Sequence, residues 1–358
     1  MNKTYIMLKD TAVLEIDNYH CKILNYDRLP VSLRYKEVSF DDVMHGWTES
    51  RTMNIGKTNA KKILAGFKMR QSNPYTIAEL FHFSSLSDCY WMKESNENIC
   101  WEDVNLFKND FEKAVSATAL LGKNAVFDNI KPKIHTPELT AQGMAAKAWI
   151  RESEGLYLYK VGKKELAASA ILEALNIPHV SYVKVSAEQL SIIADKSYIE
   201  KIKENKEWIV KCKIISSEEI SIFPWEDFQI YCSYHQINEF EYIKEYDGQA
   251  YYLMQIADYI LGNEDRHGAN FGFFMDNGTG KILNLYPLMD HDHAFSDDSD
   301  IPSQTSEFNE SLRDAAMHAI KHVIIDFSGL FRMSKPKELT KNQWLNVLDR
   351  VGDLIDVR

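Results

Sequence analysis

Apolar and polar residues alternate along residues 1 to about 35, in the runs YIMLKDTAVLEID and HCKILNY, and turn-forming Asp and Asn residues separate these runs. A period of two predicts strands, so we predict a small set of antiparallel hairpins here. From residue 39 to 66 the apolar residues recur at helical spacing, and residues 101 to 121 are predicted to form one or two further helices. Residues 1–125 are therefore interpreted as an N-terminal accessory region without evident chemistry.

Residues 126–215 carry a different pattern, which begins after the polar segment KNAVFDNIKPKIH. The runs KAWIRE and GLYLYKVG flank a turn at residues 152–155 and predict a hairpin. An alanine-rich helix is predicted from about residue 164 to 175, where Asn176 and Pro178 end it. HVSYVKV and EWIVKCKII predict two more strands with a helical segment between them. This block is interpreted as a small, β-rich lobe.

Residues 216–358 are predicted to be mostly helical, at least from Gly248 onward. The exception is a strand pair around FGFFMDNGTGKILNLYPLMD, whose centre, Asp276-Asn277-Gly278, is a strong turn signal. The order of elements predicts an α+β fold with two lobes, a small β-rich lobe with one helix and a larger helical lobe, preceded by the accessory region.

Composition excludes some functions. The 358 residues include 41 basic and 52 acidic residues, which give a formal net charge of -11, and this argues against direct binding of nucleic acid. The five cysteines are scattered without a CxxC pair, which argues against a disulfide framework or zinc site and favours a reducing cytoplasm. No uninterrupted apolar run reaches the length of about 18 residues that a membrane span needs, and charges interrupt the N-terminal segment.

The segment NEDRHGANF, which follows the apolar run YYLMQIADYIL, carries the most informative chemistry. An Asp five positions before an Asn has the spacing of a kinase catalytic loop. Asp265 would accept a hydrogen bond from an attacking hydroxyl, and Asn270 would offer its carbonyl oxygen to Mg²⁺. The alternative is a surface ion pair between Asp265 and Arg266, with Asn270 capping a turn.

Twenty residues after Asn270, the strand ending in PLMDHDH places carboxylates and imidazoles together. Asp290 is predicted to be a Mg²⁺ ligand, because a hairpin returns the strand end to the catalytic loop. Asp292 is an additional or alternative ligand. A transition-metal site formed by the residues of this segment is a rival interpretation, with the ligands His291, Asp292, His293 and His267.

Lys160 lies on the apolar strand LYLYKV, where a lysine normally needs an anionic partner. An ATP phosphate would serve, and so would Glu165 at the start of the next helix, so the two residues are expected to act as a unit. The alternative places Lys160 on an edge strand with its amine in water. Upstream, residues 136–149 contain only one glycine, Gly143, which is a weak match to a phosphate-binding glycine loop.

These elements stand in an order that resembles the HipA-like protein kinases over roughly residues 134 to 335. The matching motifs are TAQGMAAKAW at 140–149, LYK at 158–160, EALNIPHVSY at 173–182, NEDRHGANFGF at 263–273 and PLMD at 287–290. The front segments SLSDCYWMK and WEDVNLFKNDF also look like those of bacterial members of this class.

The resemblance implies a two-lobed kinase fold that transfers the γ-phosphate of ATP to a Ser or Thr hydroxyl of a protein, with Mg²⁺. The implied catalytic residues are Asp265, Lys160, Glu165 and His267. The implied metal ligands are Asn270, Asp290 and Asp292. The implied nucleotide-binding residues are Gln142, Gly143, Met144, Ala145, Lys147 and Lys160, together with a hinge of Lys211, Cys212 and Lys213 that would read adenine through its backbone.

One departure concerns regulation: Gln142 stands where some members carry an autophosphorylated Ser, and Thr140 is the nearby alternative acceptor. The resemblance also implies a toxin of a toxin–antitoxin pair, with a translation component as substrate and a small antitoxin as partner. Two alternatives remain open. One is a catalytically silent nucleotide-binding module, which would have no need for Asp265, Asn270 and Asp290 together; the other is a lipid or small-molecule kinase.

Overall fold

The structure is a computed structural model that describes residues 3–68, 74–127, 135–141, 143–204, 208–298 and 300–357. The strands are β1 Thr4–Leu8, β2 Thr11–Asp17, β3 His20–Ile23, β4 Tyr90–Glu94, β5 Lys147–Glu152, β6 Gly155–Val161, β7 Tyr182–Lys184, β8 Ile209–Lys213, β9 Ile220–Pro224, β10 Gly272–Asp276 and β11 Ile282–Leu285. The α-helices are α1 Ala60–Gly66, α2 Pro74–Glu79, α3 Trp101–Val104, α4 Lys113–Leu121, α5 Lys164–Ala174, α6 Ala187–Leu190, α7 Lys196–Glu204, α8 Trp225–His235, α9 Glu239–Leu261, α10 Leu312–Ala319, α11 Ser328–Arg332 and α12 Lys341–Val357.

Shorter helical turns complete the front part of the chain and the segment before β5. They are the 3-10 helices Tyr26–Arg28, Val31–Leu33, Glu49–Arg51 and Pro137–Leu139 and the π-helix Asp42–Trp47. The fold therefore mixes helices with antiparallel strands, as the sequence predicts. Helical structure between residues 39 and 66 is confirmed, although much of it is short and irregular rather than one regular helix.

The chain forms two compact units. The first comprises Met1–Val161, Val185–Phe223 and Phe274–Ile282, and the second comprises Gly162–Lys184, Pro224–Phe273 and Leu283–Arg358. The residues predicted as an accessory region thus share a unit with strands β5, β6 and β8. The three domain boundaries drawn from the sequence stay a prediction.

The first unit opens with the predicted hairpins. β1 pairs with β2, β2 with β3, and β4 adds to the other edge of β1, so that the sheet order is β3-β2-β1-β4. Ile6, Leu14 and Met92 stand opposite one another in the sheet and form one buried face. Lys9 adopts φ 51° in the turn between β1 and β2, a conformation that tight hairpin turns require.

A second sheet of this unit places β6 between β5 and β8, and β5 and β6 form the predicted hairpin with Glu152 opposite Gly155. Its strands share an apolar core with the front segment. Leu86 and Leu106 of the front segment pack with Leu156 of β6, and the surrounding apolar residues are Phe107, Phe111, Trp149 and Ile214. Because this core joins residues far apart in the chain, the front region is an integral part of the first unit.

The turn predicted at Asp276-Asn277-Gly278 joins β10 and β11, whose sheet has the order β11-β10-β9. The Asp276 carboxylate accepts a hydrogen bond from the Thr279 amide at 2.6 Å. Gly280 has φ +76°, and a Cβ there would lie 2.0 Å from the Asp27 carbonyl oxygen. Arg34 donates to the Gly280 carbonyl at 2.7 Å, so only glycine allows the turn to approach the front segment this closely.

In the second unit α9 is the longest helix and packs against α10 and α12. It bends at Asp247, whose backbone is non-helical and whose carboxylate accepts from the Leu285 amide at 2.9 Å. The aromatic side chains beside it stack on one another at Trp225, Phe228, Phe240, Phe271 and Phe273. In the described part of the chain, no helix combines the length and apolar composition needed to cross a bilayer.

Candidate functional site

The polar loop of residues 263–270 starts where α9 ends at Gly262. This glycine has φ +56°, and a Cβ there would lie 2.2 Å from the Arg350 guanidinium. The next amide, of Asn263, donates back to the Asp258 carbonyl at 2.9 Å. A left-handed glycine with returning amides is a common way to end a helix, and here it turns the chain into the candidate loop.

A buried ion pair organises this loop. Asp258 is 0% exposed and Arg266 is 1% exposed, and the Arg266 Nε lies 3.2 and 3.1 Å from the two carboxylate oxygens. Arg266 Nη1 also donates to the Asn270 carbonyl at 3.0 Å and to the Met289 carbonyl at 2.5 Å. One guanidinium therefore holds both the candidate loop and Met289, the residue before Asp290. The alternative of a surface ion pair between Arg266 and Asp265 is wrong, because Arg266 is paired in the interior.

Asp265 itself lies at the surface of the loop, with 41% of its side chain exposed. Its backbone carbonyl accepts from Asn270 Nδ2 at 2.8 Å. Because the Asn270 nitrogen is engaged, that side chain presents its oxygen to a ligand. His267, also predicted as catalytic, lies with Nε2 3.9 Å from Asp265 Oδ2. The loop thus offers an accessible carboxylate and an amide oxygen, which suit a hydroxyl and a hard cation.

Asp290 follows a short parallel bridge between His179 and Leu288 that is bracketed by hydrogen bonds to Pro178 and Val180. Asp290 has φ +60°, a left-handed conformation that is uncommon for residues other than glycine and often marks functional positions. Its position is therefore set by the strand end on one side and by Arg266, through Met289, on the other.

Glu165 fixes the chain immediately after Asp290. Its Oε2 accepts from the His291 amide at 3.1 Å and lies 3.6 Å from His291 Nδ1, and both side chains are buried. Burial lowers the pKa of His291, which favours the neutral imidazole. His293 instead faces Glu264, at 3.9 Å. Within the described ranges, no group of three or more His, Cys, Asp or Glu side chains is arranged to hold a metal ion.

The first unit holds the predicted phosphate-binding residues. Lys160 is 2% exposed on β6, and Lys147 stands directly opposite it on β5. Directly opposite residues of an antiparallel pair share one face of the sheet. Because β6 lies between β5 and β8, the alternative of a solvated lysine on an edge strand is wrong.

The segment between the 3-10 helix Pro137–Leu139 and β5 is called here the glycine loop. Its described residues are 140, 141 and 143–146, and the predicted nucleotide-binding residue Gln142 lies outside them. Gly143 has φ +83°, a backbone conformation that favours glycine, and a Cβ there would lie 2.5 Å from Lys147 Nζ. Met144 is exposed and Ala145 half-buried. The Thr140 hydroxyl is buried and donates to the Pro137 carbonyl at 2.9 Å.

The predicted hinge residues form part of β8, antiparallel to β6. The Lys211 ammonium lies 2.6 Å from both carboxylate oxygens of Glu152 and 4.2 Å from the centre of the Tyr157 ring. Cys212 is buried and Lys213 exposed. The Lys211 side chain is thus engaged within the sheet, and the adenine-reading role, which concerns the backbone, stays a prediction.

No protein-family model and no curated protein matches the sequence. Among solved structures, HipA of Shewanella oneidensis MR-1, in a complex of the toxin–antitoxin system HipA, HipB and its operator DNA, matches with a TM-score of 0.54 and 9% sequence identity. The match covers 99% of this chain and 96% of that chain. The chain has a HipA-like fold.

A second solved structure, the Helicobacter pylori proinflammatory kinase CtkA, aligns with a TM-score of 0.41 and 14% identity, over 59% of this chain and 92% of that chain. The HipA match confirms, at the level of the fold, the resemblance predicted from the sequence motifs. That complex contains operator DNA, so the comparison lends no support to the expectation that this chain avoids direct contact with nucleic acid.

Asp258, Glu138 and Lys57 are among the buried charged residues that sequence reasoning missed. Asp258 had a signal, since it interrupts the apolar run YYLMQIADYIL. Glu138 is fully buried and accepts hydrogen bonds from Ser116 at 2.9 Å, Thr136 at 3.0 Å and the Trp149 amide at 3.1 Å. Burial raises the pKa of Glu138. The third residue is Lys57, in the front region, which no local pattern distinguishes.

Proposed function

We propose that this chain is an ATP- and Mg²⁺-dependent phosphotransferase that moves the γ-phosphate of ATP to a Ser or Thr hydroxyl of a protein. The observation that carries the proposal is the buried Arg266, which joins the Asn270 carbonyl to the residue preceding Asp290, beside the exposed carboxylate of Asp265. The HipA-like fold supports a kinase-type activity.

In this proposal Asp265 accepts the proton of the attacking hydroxyl, and His267 lies close enough to hydrogen-bond that carboxylate after a small side-chain movement. Mg²⁺ would neutralise the charge of the phosphates. The donors fit such an ion, because Asn270 presents an oxygen and Asp290 and Asp292 supply carboxylates, which are the ligands Mg²⁺ prefers.

The nucleotide would be held by the first unit, where Lys160, Lys147 and the glycine loop supply cations and backbone amides. Those loop residues are Gln142, Gly143, Met144 and Ala145. The backbone of Lys211, Cys212 and Lys213 would read adenine. The predicted pairing of Lys160 with Glu165 stays part of the proposal, and a double-mutant cycle of Lys160→Met with Glu165→Gln measures their coupling.

We also propose the biological setting that the HipA-like fold suggests: a cytoplasmic toxin with a translation component as substrate and a small antitoxin as partner. A silent nucleotide-binding module or a lipid kinase is the alternative. Two measurements distinguish these alternatives from the proposed protein kinase. The first is the intact mass of the protein after incubation with ATP and Mg²⁺, and the second is phosphate transfer to a Ser/Thr peptide library. Incorporation of phosphate into protein or peptide supports the proposal. Nucleotide binding without any transfer to protein would instead favour the alternatives.

We expect Asp290→Asn to remove the Mg²⁺-dependent part of ATP binding. Asn tolerates the left-handed backbone at this position, so the change removes a charge without adding strain. Loss of a direct ligand should weaken Mg²⁺-dependent binding at least about tenfold. Titration of ATP with and without Mg²⁺ measures this effect.

Asp292→Asn is the matched control, since it removes the same charge two residues away. We expect it to cost less than Asp290→Asn. Equal losses for the two variants would show that the ion is shared between both carboxylates.

A further inference from the structure

Residues 53–58, which we call the floor segment, cover one side of the glycine loop. Asn54 and Gly56 form its tight turn, with the Gly56 amide donating to Asn54 Oδ1 at 2.8 Å. The floor segment binds three carbonyl groups, one at the end of the 3-10 helix before the loop and two in the loop itself. The hydrogen bonds run from the Met53 amide to Leu139 O at 2.6 Å, from Lys57 Nζ to Ala141 O at 3.0 Å and from the Thr58 amide to Met144 O at 2.9 Å.

These bonds turn the Ala141 and Met144 carbonyl groups of the loop towards the floor segment. In a trans peptide the C=O and the following N–H point in opposite directions. Because the Met144 carbonyl is bound by the floor segment, the Ala145 amide points to the opposite side. A loop that binds anions must present N–H groups and withdraw carbonyl oxygens, and the floor segment imposes that arrangement at the peptide between Met144 and Ala145.

Lys57 adds a charge beneath the loop. It is 3% exposed, and its ammonium has three donors, of which one is used by Ala141. Lys57 forms no ion pair with any residue that the structure describes. Burial, and to a smaller extent the neighbouring Lys147, lower the pKa of Lys57 to about 7, and Glu138 opposes the shift.

Positive charge is concentrated on this side of the first unit. Lys147 and Lys160 are directly opposed on β5 and β6 and so share one face of the sheet. Lys147 Nζ also lies against Gly143, and Lys57 interacts with Lys147 from below the loop. Lys57 and Lys147 repel each other beside an exposed loop, and an anion of several charges, as the phosphates of a nucleotide are, would stabilise both ammonium groups.

We propose that Lys57 is a positioning residue for nucleotide phosphates, which it serves by holding the Ala141 carbonyl beneath the glycine loop and by placing a cation there. The inference rests on the proposed function, because its ligand is the phosphate chain of ATP. It assigns a role in phosphate binding to the front region, where sequence analysis found no chemistry.

Calorimetric titration of the full chain with ATP and with adenosine tests the proposal. Lys57→Met should weaken ATP binding at least about tenfold, the scale of one hydrogen bond to a charged group, and leave adenosine binding unchanged. Lys61→Met is the matched control, since Lys61 is exposed on α1 and carries the same charge, and it should bind both ligands like the wild type.

Proton uptake on ATP binding distinguishes a Lys57 that becomes charged in the complex from a Lys57 that only holds the Ala141 carbonyl. At pH 8 the free Lys57 is mostly neutral, because its pKa is about 7. Bound phosphate favours the ammonium and raises that pKa, so binding takes up a proton. Titrations in buffers of different ionisation enthalpy should show close to one proton more for the wild type than for Lys57→Met.

Lys57→Gln keeps a donor for the Ala141 carbonyl while removing the charge, so it preserves the test if Lys57→Met does not fold. We expect Lys57→Gln to fold, to lose the extra proton uptake and to bind ATP more weakly than the wild type. If the wild type binds ATP and both variants match it in affinity and proton uptake, the role of Lys57 is refuted and the proposed function is unaffected. If the wild type binds no ATP, the proposed function fails with it.

Discussion

Asp265→Asn is expected to lower phosphate transfer by about 10²- to 10⁴-fold, the usual cost of losing a general base. The amide keeps the size of the side chain but cannot take the hydroxyl proton at neutral pH. The fold should survive, because 41% of the Asp265 side chain is exposed and the bond that braces the loop uses its backbone carbonyl. The effect is measured as transfer of labelled phosphate from ATP to the chain itself or to a peptide library. Thermal melting of the wild type and of Asp265→Asn checks that both are folded.

Asp356→Asn provides the matched control, since this aspartate is exposed near the end of α12 and far along the chain from the loop. It should transfer phosphate at the wild-type rate. ATP binding by Asp265→Asn should remain close to that of the wild type. A wild-type transfer rate in Asp265→Asn would remove Asp265 from the mechanism.

Arg266→Met should lower the free energy of unfolding by about 3–5 kcal/mol, because it leaves the Asp258 carboxylate buried without its partner. It also releases the Asn270 and Met289 carbonyls, so phosphate transfer should fall as well. Thermal and denaturant unfolding followed by circular dichroism gives the stability. Replacing both members, as Asp258→Leu with Arg266→Met, should cost less than the sum of the two single changes.

The pair Arg313–Asp353 is a close control for this experiment. Its Nε–Oδ2 distance of 3.1 Å equals that of Arg266–Asp258, but the two side chains are 53% and 41% exposed. Solvent screens an exposed pair, so Arg313→Met should cost at most about 1 kcal/mol. Equal losses for Arg266→Met and Arg313→Met would show that burial does not amplify the Arg266 interaction.

Local pattern was enough to predict much of the secondary structure. The alternation in the first runs predicted the hairpins that β1, β2 and β3 form, and the alanine-rich segment predicted α5 to within a residue of its observed end. The turn at Asp276-Asn277-Gly278 was likewise predicted, because Asn and Gly favour the conformations that short hairpin turns need. The resemblance of the motifs pointed to the HipA-like fold, which the structure comparison confirms.

The sequence by itself also singled out Asp265, Asn270 and Asp290, because each stands at a recognisable place beside a helix or strand end. It did not show what holds them. Periodicity indicates which face of an element is buried but not which element covers it. The partner of Arg266 is Asp258 rather than the adjacent Asp265, a choice made by burial, since only the interior carboxylate leaves the guanidinium able to reach Asn270 and Met289.

Contacts between distant segments were decided by the tertiary structure alone. Glu165 binds the His291 amide 126 residues away, and Lys57 binds the Ala141 carbonyl 84 residues away. Neither contact can be recognised from the local sequence. A buried charge needs a partner in space, and any acidic or carbonyl group of the chain could serve until the fold brings one within hydrogen-bond distance. For the same reason the front region could be described from the sequence as strands and helices, but its place beneath the glycine loop could only be found in the folded protein.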